Sequence, residues 1–321
     1  MILESLIENG IIRRIEYLFS IDHKRLLHLG GTQGDVYQFT QDNTDYVLKI
    51  SPIQLSYIEP LRGQAEFVNF LAKNGVNVSE YIPSIEGNHV EIIKSGSTLL
   101  GISKFIKSKG TYINHQDPSV WNRNLFEKWG QSVGKLHKYS KLYHKGGSIF
   151  TWQDDIQFKK AITHESDILR KWDEIEEYFL SLPQNNNIYG LIHNDPHLGN
   201  ITFENNEVYF FDFDICIHHW FITDIAVVFF HAFDLIRNTS KENQQKFSNA
   251  FLNRFMKGYY KETDLDEAIK QEFSFFLRYR HLLMYTYWSS QSNNNFYLKK
   301  DKEMILNDTP IINIDFCFIS T

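Results

Sequence analysis

The chain has 321 residues, of which 42% are hydrophobic and 22% charged. That is enough apolar material for a sizeable core, so a disordered chain and a small disulfide-stapled scaffold are both excluded. The formal net charge of −6, with no block of basic residues, argues against a nucleic-acid backbone as the main ligand.

The length predicts two domains or one large bilobal one. The two cysteines, Cys216 and Cys317, form no C-x-x-C pair, which points to a reducing cytoplasm. At the N-terminus Ile2, Leu3, Leu6, Ile7, Ile11, Ile12 and Ile15 recur at helical spacing, with Glu4 and Glu8 among them. This predicts an amphipathic helix and not a targeting signal.

Short β-type runs follow. Arg25–Leu29 leads into Gly30-Gly31-Thr32-Gln33-Gly34, then come Val36–Phe39, a turn at Asp42-Asn43, and Tyr46–Ile50. Three strands joined by tight turns are predicted. A helix is predicted from about Pro60 to Gly75, since proline suits a first turn and glycine a stop. Three more strands end near Phe105, with turns at Glu86-Gly87-Asn88 and Ser95-Gly96-Ser97. Residues 1–105 are therefore expected to form an antiparallel β-rich lobe with one main helix, and residues 106–321 a larger, mostly helical lobe.

In that second part Asp117-Pro118 is expected to cap a long helix through Trp121, Leu125, Trp129 and Leu136. Another helix is predicted over 166–182, and several more over 221–288. One β excursion, Ile201-Thr202-Phe203 and Val208–Phe211 around a turn at Asn205-Asn206, interrupts them. The longest apolar run, Ile225–Phe230, is bounded by Asp224 and Asp234 and falls far short of the ~20 residues that a membrane span needs. A soluble protein without a membrane partner is expected. The order of a small β lobe and a larger α lobe is itself a clue, because ligands favour clefts between lobes.

The segment richest in chemistry is His193-Asn194-Asp195-Pro196-His197-Leu198-Gly199-Asn200, then the hairpin, then Asp212-Phe213-Asp214. Loop polar residues this dense between apolar strands cost folding energy unless something uses them. A hairpin brings its ends together, so Asn200 and Asp212 are expected to face one spot. Two hard oxygen donors suit Mg²⁺, which keeps waters and phosphate oxygens as its other ligands. Asp195 is then left to accept a proton.

This block resembles the catalytic segment of the aminoglycoside phosphotransferase and choline kinase-like family, relatives of the protein kinases. Their pattern H-x-D-x-x-x-x-N, a hairpin and an Asp-aromatic pair is matched by His193, Asp195, Asn200 and Asp212. The stretch from Phe211 through Trp220-Phe221-Ile222-Thr223-Asp224-Ile225-Ala226 looks most like the homoserine-kinase-type and bacterial Ser/Thr-kinase-like branch. The resemblance implies an α+β, bilobal protein-kinase-like fold and ATP-dependent transfer of phosphate to a hydroxyl. It also implies Asp195 as the catalytic base, Asn200 and Asp212 as Mg²⁺ holders, and Asp224 as a buried brace of the catalytic loop.

The small lobe adds Lys49 in Val47-Leu48-Lys49, on the strand where kinases carry the lysine that contacts the α- and β-phosphates. Glu66, beside the stripe Phe67, Phe70 and Leu71, is the expected partner of Lys49. Gly31 and Gly34 are the candidate phosphate-loop glycines, although the loop lacks G-x-G-x-x-G and plain hairpin glycines fit as well. Gly134-Lys135-Leu136-His137 resembles a helix signature of the same family. The adenine is expected near Ser103–Lys107.

Other readings stay open. His193 suits a structural hydrogen-bonding role and His197 a loop role, while Asp214 fits either a second metal contact or a solvated hairpin end. Gly130-Gln131-Ser132-Val133-Gly134-Lys135 looks like a P-loop but is one residue short and lies in a helical pattern. A metal-dependent hydrolase using His193, Asp195 and His197, a non-catalytic nucleotide-binding regulator and a protein Ser/Thr kinase are the alternatives. Only twelve positions separate Asp212 from Asp224, which disfavours peptide docking and favours a small hydroxylated acceptor, such as an aminoglycoside, an amino alcohol or a hydroxy amino acid. Arg278, His281, Tyr285 and Trp288 share a helix face that is a candidate lining for the acceptor pocket.

Overall fold

The computed structural model of the chain describes residues 2–8, 10–31, 34–144, 148–291 and 296–316. Cys317, Thr32 and Gln33 lie outside the described residues. The chain divides into two compact units. The first holds Met1–Gly110, Tyr143–Ile149 and Tyr209–Asp214, and the second holds Thr111–Leu142, Phe150–Val208 and Ile215–Thr321.

In the first unit the single expected N-terminal helix is two, α1 (Ile2–Glu8) and α2 (Ile12–Phe19). Gly10 lies between them at φ +70°, a left-handed value that stops a helix. Strands β1 (Leu27–Gly30), β2 (Asp35–Gln41) and β3 (Thr44–Ile53) follow, then α3 (Ile58–Lys73), β4 (Tyr81–Ile82), β5 (Glu91–Ser95) and β6 (Thr98–Ile106). They build one antiparallel sheet in the order β1-β2-β3-β6-β4, with β5 also paired to β6. Asp42 and Asn43 both have positive φ, the conformation that a two-residue hairpin turn demands. Ile12, Ile15, Leu18 and Phe19 of α2 pack into a core with Tyr37, Phe39, Leu48, Ile50, Leu100 and Ile102.

Helix α3 begins two residues before Pro60, which its first turn tolerates, and stops at Lys73 ahead of Gly75 at φ +76°. Its buried residues are Gly63, Gln64, Ala65, Phe67, Val68 and Leu71.

The second unit opens with β7 (Thr111–Tyr112) and α4 (Arg123–Ser140). The cap of α4 is Asn122, whose side chain accepts from the amides of Asn124 and Leu125; Asp117 instead closes a separate turn on Ser119. Then come α5 (Trp152–Ile162), α6 (Ser166–Ser181), β8 (Tyr189–Ile192), β9 (Ile201–Glu204) and β10 (Glu207–Phe210), the last two residues of which belong to the first unit. The chain ends with β11 (Ile217–Trp220), α7 (Ile222–Asp234), α8 (Lys241–Tyr259), α9 (Glu267–Gln271), α10 (Phe273–Gln291) and α11 (Phe296–Leu306). The predicted ribbon exists, with β9 between β10 and β7, while β8 and β11 form a separate antiparallel pair.

The P-loop look-alike is helical, inside α4, and its glycines have a packing reason. A Cβ on Gly130 or Gly134 would run into the backbone of Phe255 or Tyr259 on α8, so the two helices touch backbone to backbone. Helix α7 is buried along nearly its whole length. No helix among the described residues is long and apolar enough to cross a membrane.

Candidate active site

Lys49 lies on β3, opposite Val36 of β2 and Ser103 of β6. Its ammonium stands 3.3 Å from Asp212 Oδ1 and makes a closer contact with Asp214 Oδ2. Both carboxylates reach the lysine, while Phe213 between them is buried. Asp212 holds φ +61°, a left-handed conformation that a non-glycine residue adopts at a cost of about 1 kcal/mol. Gln64 of α3 helps to fix this segment by donating its amide to the Phe213 carbonyl. Burial works against the Lys49 charge, but the carboxylates of Asp214 and then Asp212 overcome it and raise the ammonium's pKa.

A cavity of about 400 Å³ opens beside this cluster, lined by Lys49, Ser51, Pro52, Ile53, Gln54, Tyr57, Leu61, Tyr81, Val90, Gly101, Ser103, Phe105 and Asp214. Its walls are mostly apolar and its ionic groups are Lys49 and Asp214, the make-up of a small-molecule pocket. Gly31 has φ +137°, and a Cβ there would strike the Gly34 carbonyl; one on Gly34 would strike Ser51 and the Ile50 carbonyl. Backbone closeness alone therefore requires glycine at both positions.

In the second unit Asp195 sits in a loop fixed from behind. Asp224, fully buried, accepts from the amide of His193 at 3.1 Å and that of Asn194 at 2.7 Å, and meets His137 Nε2 at 3.0 Å. His137 Nδ1 in turn lies 3.0 Å from the Tyr259 hydroxyl. Trp129 donates its indole N–H to the Pro196 carbonyl at 3.1 Å. Asn194 accepts the left-handed φ of +67° that turns the loop.

Asn200 donates its amide to the Asp195 carbonyl at 2.9 Å and to Asp195 Oδ2 at 3.1 Å. With the nitrogen so engaged, the amide oxygen is the atom it offers elsewhere. His197 Nε2 lies 3.3 Å from Asp195 Oδ2, and Arg280 Nη2 lies 2.6 Å from Asp195 Oδ1. Burial alone would raise the Asp195 carboxyl, but the Arg280 guanidinium, and then His197, hold it well below the usual carboxylate range.

The structure thus brings Lys49, Asp212 and Asp214 together in the first unit, and Asp195 and Asn200 together in the second. Glu66 is a correction: it is exposed, one residue past the buried Ala65 and so turned off the inward stripe. Asp212 and Asp214 occupy the place expected for it at Lys49. Arg278 pairs with Asp308, His281 lies beside Asp301, Tyr285 donates to Glu165 and Trp288 is exposed, so this set belongs to local ion pairs and surface rather than to the Asp195 cluster. The hydrolase cluster is not formed either. Among the described residues the grouping of three or more His, Cys, Asp or Glu donors is Glu16, Asp22 and His23.

Sequence reasoning missed Arg280 and Gln64. Each carries a signal in retrospect, a polar group on an apolar helix face that needs a buried partner.

Residues 26–267 match the family described as the phosphotransferase enzyme family. The amicoumacin kinase of Bacillus subtilis (strain 168) is 29% identical over 316 residues, covering 94% of this chain and 92% of that protein. The solved structure of an amicoumacin kinase in complex with AMP-PNP, Ca²⁺ and Ami superposes with a TM-score of 0.89 at 25% identity, covering 99% of both chains. A microcompartment-associated aminopropanol kinase has the same fold, with a TM-score of 0.71 at 16% identity over 94% of each chain.

Proposed function

The chain belongs to the phosphotransferase enzyme family, as an α+β, kinase-like enzyme with a hydroxyl acceptor, and from that premise we propose that it moves the γ-phosphate of ATP to an amicoumacin-type antibiotic. The observation that carries the reading is Lys49, gathered with Asp212 and Asp214 at the edge of a cavity of about 400 Å³. A lysine there suits the α- and β-phosphates, and the apolar wall at Val90 and Phe105 suits an adenine. Gly31 and Gly34, which no side chain can replace, leave backbone amides as the phosphate contacts of that loop.

Asn200 and Asp212 are the proposed holders of a divalent cation. The donor chemistry fits, since an amide oxygen and a carboxylate 46% exposed are hard oxygen ligands open to exchange. Such an ion, Mg²⁺ in this reading, offsets phosphate charge when bound. Asp195 orients the acceptor hydroxyl and takes its proton. A carboxylate held so acidic is a weak base, which suits transfer through a loose transition state in which the proton leaves late.

The acceptor class follows the amicoumacin kinases, which share nearly the full length of this chain. The test is ADP release from MgATP with a panel of amicoumacin, an aminoglycoside, an amino alcohol and a hydroxy amino acid. Stimulation by amicoumacin above the others is expected, with one phosphate added by mass. Stimulation by another member alone would reassign the acceptor, and binding of ATP without any turnover would favour the regulator.

A further inference from the structure

Three side chains, from α10, α7 and the Asp195 loop itself, close a ring with Asp195. Arg280, in the middle of α10 with its side chain 4% exposed, reaches Asp195 Oδ1 at 2.6 Å and His231 Nε2 at 2.7 Å through the same nitrogen. His231, on α7, packs against His197 with ring centroids 4.5 Å apart and ring planes tilted by 33°, and His197 returns to Asp195 Oδ2 at 3.3 Å. Because His231 Nε2 faces a donor it must be the accepting nitrogen, so the ring is neutral with its proton on Nδ1. Burial, and then the Arg280 charge, favour that neutral form.

We infer that Arg280 is a positioning residue for phosphoryl transfer, fixing the Asp195 carboxylate through Oδ1 and held in line for that contact by His231. The inference rests on Asp195 being the proton acceptor. With Oδ1 held by the guanidinium and Oδ2 by Asn200 and His197, the carboxylate cannot rotate, and it presents one fixed set of lone pairs to the incoming hydroxyl. The guanidinium also offsets the Asp195 charge, which would otherwise repel a phosphate. Stability is a poor reason for the pair, because a buried ion pair contributes little net stability over an apolar replacement.

The experiment compares Arg280→Met, Arg280→Lys, Asp195→Asn and the double variant Asp195→Asn/Arg280→Met. It reads ADP release from MgATP with amicoumacin present, counting transfer to the antibiotic or to water alike. AMP-PNP affinity and the melting temperature are measured alongside. Arg280→Met is expected to lower kcat roughly 100-fold, as loss of alignment does, with AMP-PNP affinity unchanged. The double variant is expected to be no slower than Asp195→Asn, because the arginine acts through the carboxylate. In a further variant, Arg280→Ala, which leaves the side-chain space empty, free guanidinium ion is expected to restore part of the turnover.

If Asp195→Asn is inactive while Arg280→Met keeps parental kcat, or if the two losses multiply in the double variant, the positioning role is overturned. If Asp195→Asn itself turns over normally, the base assignment fails instead. Should Arg280→Met not fold, Arg280→Lys decides. A kcat loss with intact nucleotide affinity supports the role, and full kcat overturns it.

Discussion

Lys49 in the first unit faces two carboxylates, whereas Asp195 in the second is a single carboxylate faced by a guanidinium, an amide and an imidazole. The two clusters also differ in what stands behind them. Asp212 is 46% exposed at a cavity edge, and Gln64 reaching the Phe213 carbonyl ties its segment to α3. Asp195 is backed by buried bonds that run from the His193 and Asn194 amides through Asp224 and His137 to Tyr259. A cluster that trades partners with a ligand needs weak, reachable contacts, while one that must aim a single atom needs walls. The first cluster is accordingly expected to govern nucleotide affinity and the second alignment and stability.

The largest effect that separates them is expected at Asp224. Asp224→Ala strips the acceptor from two backbone amides and from His137 in a fully buried place, and should cost about 3–5 kcal/mol of stability. Urea unfolding monitored by tryptophan fluorescence checks this, and a loss below 1 kcal/mol would mean that the loop does not hang on this residue. Next is Gly134→Ala. Its new Cβ would stand 2.6 Å from the Tyr259 carbonyl oxygen, so α4 and α8 must part, at about 1–3 kcal/mol. A variant as stable as the parent would show that the helix contact yields more easily than its backbone closeness implies.

Lys49→Met acts on the other cluster. Losing a charge-assisted contact worth about 1.5–3 kcal/mol weakens nucleotide binding roughly ten- to a hundredfold. Calorimetric titration with AMP-PNP reads it, and unchanged affinity would remove Lys49 from the site.

The two clusters were unequally legible in the sequence. The β3 strand, α3 and the β9–β10 ribbon follow from local alternation and turn residues, and Lys49, Asp195, Asn200 and Asp212 stand in a compact motif. Local pattern also separates Gly130–Lys135 from a true phosphate loop, because apolar spacing runs through it. What escaped depends on distance along the chain. Strands β8 and β11 are four residues each and pair across 24 intervening positions, so neither carries a signal by itself. Arg280 lies 85 residues from Asp195, and Arg278, two positions earlier, looked equally suited to a ligand. Only burial separates them: Arg278 is partly exposed on a local ion pair, and Arg280 is enclosed. The single N-terminal helix failed for the converse reason, since periodicity carried across Gly10, where the backbone turns left-handed.

The smallest expected effect tests which acid serves Lys49. Kinases pair this lysine with a helix glutamate, and Glu66 is the glutamate nearest in sequence to that role, yet it faces solvent. Glu66→Gln should therefore change stability by less than about 0.5 kcal/mol, as at an ordinary surface position, and leave AMP-PNP affinity as it is. Asp214→Asn removes a contact that Lys49 makes in the first unit and should weaken AMP-PNP binding several-fold, in the same direction as Lys49→Met. Combined with Lys49→Met it should add little, because the two side chains act as one unit. The reverse ranking, with Glu66→Gln costly and Asp214→Asn silent, would mean that α3 turns to bring its carboxylate to Lys49 when nucleotide binds, and that the Asp214 pair belongs to the ligand-free state alone.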